Sequence, residues 1–153
     1  MNNQYVLRAQ LIPLNGATLL LPNTAVAEVV HFNDVEATPS TPSWIYGMIS
    51  WRGLSLPLLS MEGLLEMDVL PLDKEKRVII LNSLDNNQDM PFIAIASDGN
   101  PHLIKLHEDT MGDELMEEHS SHYIHTVSMY RDRRVLVPDL NAIKESLQES
   151  LHF

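Results

Sequence analysis

Short apolar segments separated by turn residues dominate the pattern of hydrophobic and polar positions along the chain. Residues 5–14 alternate imperfectly between apolar and polar side chains, and Asn15-Gly16 separates them from the apolar run 17–21. An Asn-Gly pair between two such runs favours a β-hairpin, because both residues tolerate the positive φ of a tight hairpin turn. The chain is therefore predicted to begin with a hairpin.

Further strands are predicted wherever a short apolar run lies between turn residues. These predicted strands cover residues 44–51, 54–59, 77–81, 91–97, 102–106, 123–130 and 134–137. Residues 25–32 are predicted to form a short turn that leads into another strand. Pro57 lies inside one of them. Because a proline cannot donate a hydrogen bond to a strand ladder, Pro57 indicates an edge strand or a bulge.

Two helices complete the pattern. Ser60 is predicted to cap a short helix over residues 61–67. Near the end of the chain, apolar residues recur at spacings of three and four, namely Leu140, Ile143, Leu147 and Leu151. This stripe predicts an amphipathic helix with Asp139 as its N-cap. Ten short strands and a terminal helix predict an all-β fold of one or two small barrels rather than a parallel βαβ sheet.

Composition and charge exclude several classes of function. The chain has 153 residues, enough for a real core, and 21 acidic residues against 10 basic ones give a net charge of −11. Such a charge is repelled by nucleic-acid phosphates and by anionic lipid, so no nucleic-acid binding is expected. No apolar run is long enough for membrane insertion and no signal peptide is visible, so the expected location is the cytoplasm. The absence of cysteine excludes disulfides and thiolate metal sites.

The motif search favours a protein without catalytic activity. The chain lacks a Gly-x-Ser-x-Gly nucleophile motif and the glycine-rich loops that bind phosphate. The acidic stretch 108–118 has no apolar surroundings that would raise a carboxyl pKa for acid catalysis. We therefore expect no catalytic residues, no cofactor and no small-molecule substrate.

Three histidines form the main candidate for a metal site. His119, His122 and His125 are spaced three apart, and three imidazoles can bind Zn²⁺ or Ni²⁺. Because residues 123–130 read as a strand, His125 is expected to point away from the other two, so no metal site is predicted. A metal- or ligand-binding β-barrel that uses these histidines remains an alternative. Another is a structural barrel that oligomerises through its terminal helix.

The segment 43–59 carries the strongest candidate for a binding function, and its residues allow two interpretations. In the first, it is an ordinary hairpin whose tryptophans fill the core, with Gly53 at a positive φ in the turn and Arg52 facing water. In the second, Gly47 allows another backbone to approach closely, and Arg52 offers a fork of donors to a partner beside aromatic rings. The residues alone leave both open.

The order of motifs resembles the CheW family of chemosensory adaptors. The matching segments are Val26-Ala27-Glu28-Val29, Ile45-Tyr46-Gly47-Met48, Trp51-Arg52-Gly53, Leu56-Pro57-Leu58-Leu59, Val78-Ile79-Ile80-Leu81, Ile93-Ala94-Ile95-Ala96-Ser97-Asp98, and Val135-Leu136-Val137-Pro138-Asp139-Leu140. They follow the family's order over nearly the whole chain. The resemblance implies one CheW-like domain over residues 1–153, built from two five-stranded SH3-like β-barrels and a C-terminal helix.

The resemblance also implies a function and a partner-binding surface. CheW-like proteins are non-catalytic adaptors that couple methyl-accepting chemoreceptors to a CheA-type histidine kinase. Carried over by position, Val26, Glu28, Gly47 and Arg52 fall where the family contacts receptor or kinase, and Met48 is expected to be an apolar neighbour of Arg52.

One departure from the family pattern bears on the choice of partner. Trp51 stands where the family normally has an aliphatic residue, so it is a sixth expected partner-binding position. A divergent adaptor of this kind resembles the CheW-like proteins of type IV pilus, or twitching motility, chemosensory systems.

Overall fold

The structure, a computed structural model, describes residues 7–82, 90–107 and 121–151. Ten strands lie in this part of the chain: β1 (Leu7–Leu14), β2 (Ala17–Pro22), β3 (Val26–His31), β4 (Ile45–Trp51), β5 (Leu54–Leu59), β6 (Arg77–Asn82), β7 (Phe92–Ser97), β8 (His102–Leu106), β9 (Ile124–Tyr130) and β10 (Arg133–Pro138). A 3₁₀ turn (Asn23–Ala25) and two helices, α1 (Met61–Leu64) and α2 (Leu140–Leu151), complete it. Each predicted strand is confirmed, and among the described residues its ends differ from the prediction by one residue at most.

The strands form two five-stranded sheets with equivalent topology. The first sheet has the order β8-β1-β2-β10-β9 and the second the order β3-β6-β7-β5-β4. In each sheet the third and fourth strands pair in parallel, whereas the other neighbours pair antiparallel. The β9–β10 hairpin of the first sheet therefore occupies the place that the β4–β5 hairpin holds in the second.

The predicted hairpin at the start of the chain is confirmed. β1 and β2 pair antiparallel, with Leu14 opposite Ala17 across Asn15-Gly16. Gly16 has φ +88°, the left-handed conformation that a two-residue hairpin turn favours and that glycine adopts without strain.

Of the two settings predicted for Pro57, the edge position is wrong because β5 lies between β4 and β7, but a bulge does lie one pair away, where the register of β4 against β5 shifts between Ile45 and Gly47. Pro57 pairs with Met48, whose N–H and C=O both bond to Glu36 rather than to β5. On its other side, pairing of β5 with β7 begins at Leu58. The missing N–H therefore costs no ladder hydrogen bond, which explains how an interior strand tolerates the proline.

The short helix α1 begins as predicted but ends three residues early. Ser60 Oγ accepts a 3.1 Å hydrogen bond from the Gly63 N–H, as an N-cap does. Glu66 then adopts φ +62°, and the Met67 N–H bonds to the Glu62 carbonyl. This left-handed residue with its wrapped hydrogen bond is a Schellman ending, so the prediction of helix up to Met67 is wrong.

Helix α2 closes the core as its apolar stripe predicts. Asp139 Oδ1 accepts a 3.1 Å bond from the Ala142 N–H, which confirms the N-cap. Ile143 and Leu147 are fully buried in the shared cluster described next. Leu140 and Leu151 pack partly against the same cluster, so the stripe contributes to the core of its own chain. No helix among the described residues is long and apolar enough to cross a membrane.

Three apolar clusters fill the fold. The largest is shared by both sheets and α2, and its fully buried side chains include Ile12, Leu19, Leu59, Ile79, Ile143 and Leu147. The second cluster lies inside the second sheet and draws on both of its edge strands, and the third lies inside the first sheet. Each sheet therefore curls around its own interior, although backbone pairing between the described strands closes neither into a complete barrel. The all-β fold with two five-stranded units is confirmed.

Polar contacts fix the first hairpin against the second sheet. The Asp98 N–H donates to the Pro13 carbonyl at 2.8 Å, and Lys76 Nζ donates to Asp98 Oδ1 at 2.7 Å. Burial opposes the charge of Lys76, but the hydrogen bond and charge of Asp98 outweigh it and raise the pKa of the ammonium group. The buried lysine is thus held charged at the junction of the sheets.

The shared cluster predicts a strong dependence of stability on Ile143. We expect Ile143→Ala to lower the free energy of unfolding by about 2–5 kcal/mol, because it leaves a cavity where both sheets meet α2. Leu103→Ala is the matched control, since Leu103 is 61% exposed, and it should change stability by about 0.5 kcal/mol or less. Urea unfolding followed by circular dichroism measures both, and equal losses would contradict the shared core.

Candidate docking site at the edges of the second sheet

Side chains connect the two edge strands of the second sheet, β3 and β4. Trp51 Nε1 donates a 2.5 Å hydrogen bond to Glu28 Oε2, and Arg52 Nη2 lies 3.2 Å from Glu28 Oε1. Each oxygen of one carboxylate from β3 thus binds a different residue at the end of β4. We name the place where β3 and the residues after it meet β4 the seam, and it comprises Glu28, Glu36, Gly47, Met48, Trp51 and Arg52.

The tight turn between β4 and β5 presents Arg52 at the surface. Trp51 pairs with Leu54 across the turn residues Arg52 and Gly53, whose φ values are +47° and +76°. Two consecutive positive φ values define a type I′ turn, which suits the twist of a hairpin but is unusual for an arginine. The guanidinium lies 4.8 Å from the centre of the Trp51 ring, and the side chain is 67% exposed.

Trp51 belongs both to the core and to the seam. It is only 8% exposed, and its ring meets that of Phe92 edge to face with centroids 4.8 Å apart. Its N–H edge points to Glu28, so the indole is fixed by packing on one side and by a hydrogen bond on the other. Each of the two interpretations of this segment therefore holds for a different residue. The Trp51 ring fills the core, as in the first, and the Arg52 side chain remains exposed beside it, as in the second.

The contacts of Glu28 favour its charged form. The hydrogen bond from Trp51 is the largest cause that lowers the pKa of Glu28, and the charge and hydrogen bond of Arg52 lower it further. Partial burial acts in the opposite direction without reversing the result. Glu28 is thus held ionised, which keeps a negative charge beside the guanidinium and fixes the direction in which the guanidinium points.

Gly47 makes the close approach that its place in a strand predicts, but it does so within the chain. Its φ is +145°, and a Cβ there would lie 2.2 Å from the Glu36 carbonyl oxygen. Glu36 and Met48 exchange two backbone hydrogen bonds, of 2.9 and 2.8 Å, directly beside it. The segment after β3 can pair with β4 only because residue 47 lacks a side chain.

Irregular pairing shapes both strands of the seam. The register of β3 against β6 shifts between Val26 and Glu28, and that of β4 against β5 shifts between Ile45 and Gly47. Each shift leaves one residue without an opposite partner, which is a β-bulge. Bulges bend a strand and redirect its side chains, and they are common at the edges of sheets.

The structure brings together some of the six expected partner-binding residues. Glu28, Trp51 and Arg52 are in direct contact, and Gly47 and Met48 adjoin them through β4. Val26 lies in the same strand as Glu28, but it packs partly against the shared cluster. Sequence reasoning missed Glu36, because residues 33–44 show no periodic pattern from which a bridge to β4 could be predicted.

The histidine alternative receives no support from the described residues. His119 lies outside them, so the full set of three cannot be placed. His122 and His125 are both exposed, and His122 meets Tyr123 edge to face at 5.5 Å. Within the described ranges, no three His, Cys, Asp or Glu side chains form a group that could hold a metal ion.

Comparison with known proteins gives three matches. A family model described as CheW-like domain matches residues 8–148. Protein PilI of Pseudomonas aeruginosa is 31% identical over 72 residues, which cover 47% of this chain and 40% of PilI. The crystal structure of the scaffolding protein TtCheW from Thermoanaerobacter tengcongensis matches with a TM-score of 0.73 at 18% identity, covering 89% of this chain and 86% of that one. The matched region thus spans two fifths of PilI, and the likeness to TtCheW shows a shared fold.

The close contact at Gly47 predicts a large effect of a single methyl group. Gly47→Ala should lower the free energy of unfolding by at least about 2 kcal/mol, because the clash with Glu36 adds to the strain of a positive φ. Gly53→Ala is the control: it also has a positive φ but no atom within 4 Å of the new Cβ, so we expect a loss of about 1–2 kcal/mol. Equal losses in chemical unfolding would contradict the role of the Glu36 bridge.

The contacts of Glu28 predict that both of its donors lower its pKa. Trp51→Phe and Arg52→Ala should each raise the pKa of Glu28 towards its ordinary value, because each removes contacts that favour the charged carboxylate. A lowered folded-state pKa stabilises the fold above the unfolded pKa, and this contribution is lost as the pH falls through the folded pKa. NMR titration of the Glu28 carboxyl carbon in the wild type and the two variants measures these pKa values. An unchanged pKa in Trp51→Phe, which removes the largest single cause, would refute the account.

Proposed function

The chain belongs to the CheW-like domain family, and on that premise we propose that it is a non-catalytic chemosensory adaptor. In this proposal it works in the cytoplasm, where it couples methyl-accepting chemoreceptors to a CheA-type histidine kinase. It needs no cofactor and no small-molecule substrate for this role, and it contacts neither nucleic acid nor lipid directly. The family match over residues 8–148 and the fold shared with the scaffolding protein TtCheW support it.

The observation that carries the proposal is the exposed, oriented guanidinium of Arg52. In a chain of net charge −11, an arginine at a hairpin tip is a local exception to the surrounding field. It is held by the Trp51 ring below and by Glu28 at its side, so little conformational entropy is lost when a partner binds it. The bond to Glu28 is made by Nη2, which leaves other N–H groups of the fork to a partner.

We propose that the six expected residues act in different ways at this surface. Arg52 contacts the partner directly, while Glu28 and Trp51 position it. Gly47 acts by allowing the Glu36 bridge, which shapes the surface beside the half-buried Met48. Val26 supports the start of β3, where the strand bulges before Glu28.

An adaptor of this kind transmits a signal through differences in contact rather than through chemistry. A receptor can change the kinase through the adaptor only if the adaptor contacts the two signalling states with different free energy. A rigid seam suits this task, because an anchor in one fixed geometry distinguishes small displacements of its partner. Affinity then depends on a few anchors such as Arg52 rather than on the total buried area.

We further propose that the whole chain acts as one CheW-like domain of two subdomains in a type IV pilus chemosensory pathway. The cluster shared by both sheets and α2 supports the single domain, since it is the largest of the three clusters and joins the two sheets, each of which also has a smaller cluster of its own. The partial identity with PilI supports the pathway. Trp51 is the residue in which we expect specificity for these partners to lie, because it replaces a smaller side chain beneath Arg52.

The proposal predicts that Arg52→Ala weakens binding to the kinase and to the receptor without unfolding the protein. Loss of an anchoring arginine typically costs about 2 kcal/mol or more, so we expect affinity to fall at least about tenfold. Immobilised wild-type protein should retain a CheA-type kinase and a methyl-accepting receptor from the native host, as identified by mass spectrometry. The purified partners then give dissociation constants by calorimetry.

Lys74→Ala is the matched control, because it removes one exposed positive charge from the linker before β6. It should bind both partners as the wild type does, and circular dichroism should show all three proteins equally folded. Gly47 variants are unsuitable for this test because they disturb the fold itself. If neither kinase nor receptor is retained, the adaptor function is wrong. If Arg52→Ala binds both normally, the assignment of the seam is wrong.

A further inference from the structure

The β9–β10 hairpin repeats the features of the hairpin that carries Arg52. It occupies the equivalent place in the first sheet, and its turn residues are Arg131 and Asp132. Their φ values are +46° and +64°, so this is a second type I′ turn with arginine at its first position. In both sheets, the residue eight positions after the turn arginine caps a helix, namely Ser60 and Asp139.

The turn arginine is also held in the same way. The guanidinium of Arg131 lies 5.5 Å from the centre of the Tyr130 ring, as that of Arg52 lies 4.8 Å from the Trp51 ring. Tyr130 is buried in the apolar cluster of the first sheet, so it gives the cation a fixed support. A bulky residue with positive φ costs conformational energy, and such strain is often found where a side chain has a function.

The two hairpins differ in how their positive charge is balanced. Arg52 has Glu28, but Arg131 forms no ion pair with any described residue. Arg133 and Arg134 follow in the sequence, so three of the ten basic residues of this acidic chain lie within four positions. All three are exposed, and Asp132 is the one acidic residue between them. Arg134 has an interaction of its own, so among the described residues the unbalanced positive charge that faces solvent comes from Arg131 and Arg133.

We propose that the β9–β10 hairpin is a second docking site, and that it binds an acidic segment of a protein partner. Arg131, supported by Tyr130, and Arg133 offer planar forks of donors that match carboxylates in bidentate geometry. The inference rests on the proposed adaptor function only in taking the occupant to be a protein. With this second site, the chain can hold one partner at the seam of the second sheet and another at the β9–β10 hairpin of the first sheet.

Charge selects this occupant over other anions. Extended polyanions such as nucleic acid or an anionic bilayer would meet the whole field of a chain with net charge −11, which repels them. A short acidic segment meets only the hairpin, because salt screens the rest of the surface beyond about 8 Å at physiological ionic strength. Short, local carboxylate recognition is therefore the mode that the charge distribution permits.

The test uses fluorescein-labelled hexaglutamate as the probe and measures its anisotropy with the full chain at physiological ionic strength, where the repulsion from the rest of the chain is screened. Wild-type protein should bind it saturably, and Arg131→Ala/Arg133→Ala should weaken binding about tenfold, because two charge-assisted contacts are lost. Lys74→Ala/Lys105→Ala removes the same charge from exposed positions elsewhere and should change affinity less than about twofold. Arg131→Lys/Arg133→Lys should fall between, since it keeps the charge but loses the forks.

Four results would overturn the proposal. The first is the absence of saturable hexaglutamate binding, and the second is an equal loss of affinity in the Lys74→Ala/Lys105→Ala control. The third is hairpin-dependent binding to phosphatidylserine vesicles that is stronger than binding to hexaglutamate. The fourth is hairpin-dependent self-association in light scattering, which would make a second copy the occupant.

Arg52→Ala separates this inference from the proposed function, because it should leave hexaglutamate binding unchanged. Loss of kinase capture in Arg52→Ala with hexaglutamate binding intact shows two independent sites. Normal kinase capture in Arg52→Ala would instead refute the seam alone.

Discussion

The carboxylate of Glu28 is the group on which the geometry of the candidate site depends. It accepts a hydrogen bond from Trp51 and forms an ion pair with Arg52. It therefore connects the edge strands β3 and β4, which share no backbone ladder. A second connection, the Glu36–Met48 bridge, requires a glycine at position 47. Together they hold the curled second sheet at its edges and fix the direction of one exposed guanidinium. An arginine on an open hairpin would be mobile, whereas this one is preorganised.

Much of the fold could be predicted from the sequence, because it depends on local signals. Alternating apolar runs and turn residues indicated the strands, and the Asp139 cap with its apolar stripe indicated α2. The errors came from interactions that are not local. Pro57 is tolerated in an interior strand because the backbone groups of its neighbour Met48 bond to Glu36 instead. Helix α1 ends early because Glu66 adopts a left-handed conformation, which a glutamate in the sequence does not predict. Neither fact is visible in a window of sequence.

The site was predictable in part, and for a related reason. A glycine in a strand indicated a close backbone approach, but only the structure shows that the approaching backbone is Glu36 of the same chain. The resemblance to the CheW family indicated Glu28 and Arg52 as partner-binding positions. That the two side chains contact each other could not be predicted, because the contact depends on the curl of the sheet. Trp51 stood out as a departure from the family, and its role as a donor to Glu28 explains how a larger side chain fits there.

The central claim is that partners bind at the seam. The chain has two tryptophans, so the indole N–H signal of Trp51 can be assigned in a proton–nitrogen NMR spectrum. Titration with the purified kinase should move this signal and the amide signals of residues 28, 36 and 47–53 before those of other residues. Changes confined to surfaces away from these residues, with the Trp51 signal unmoved at saturation, would contradict the account.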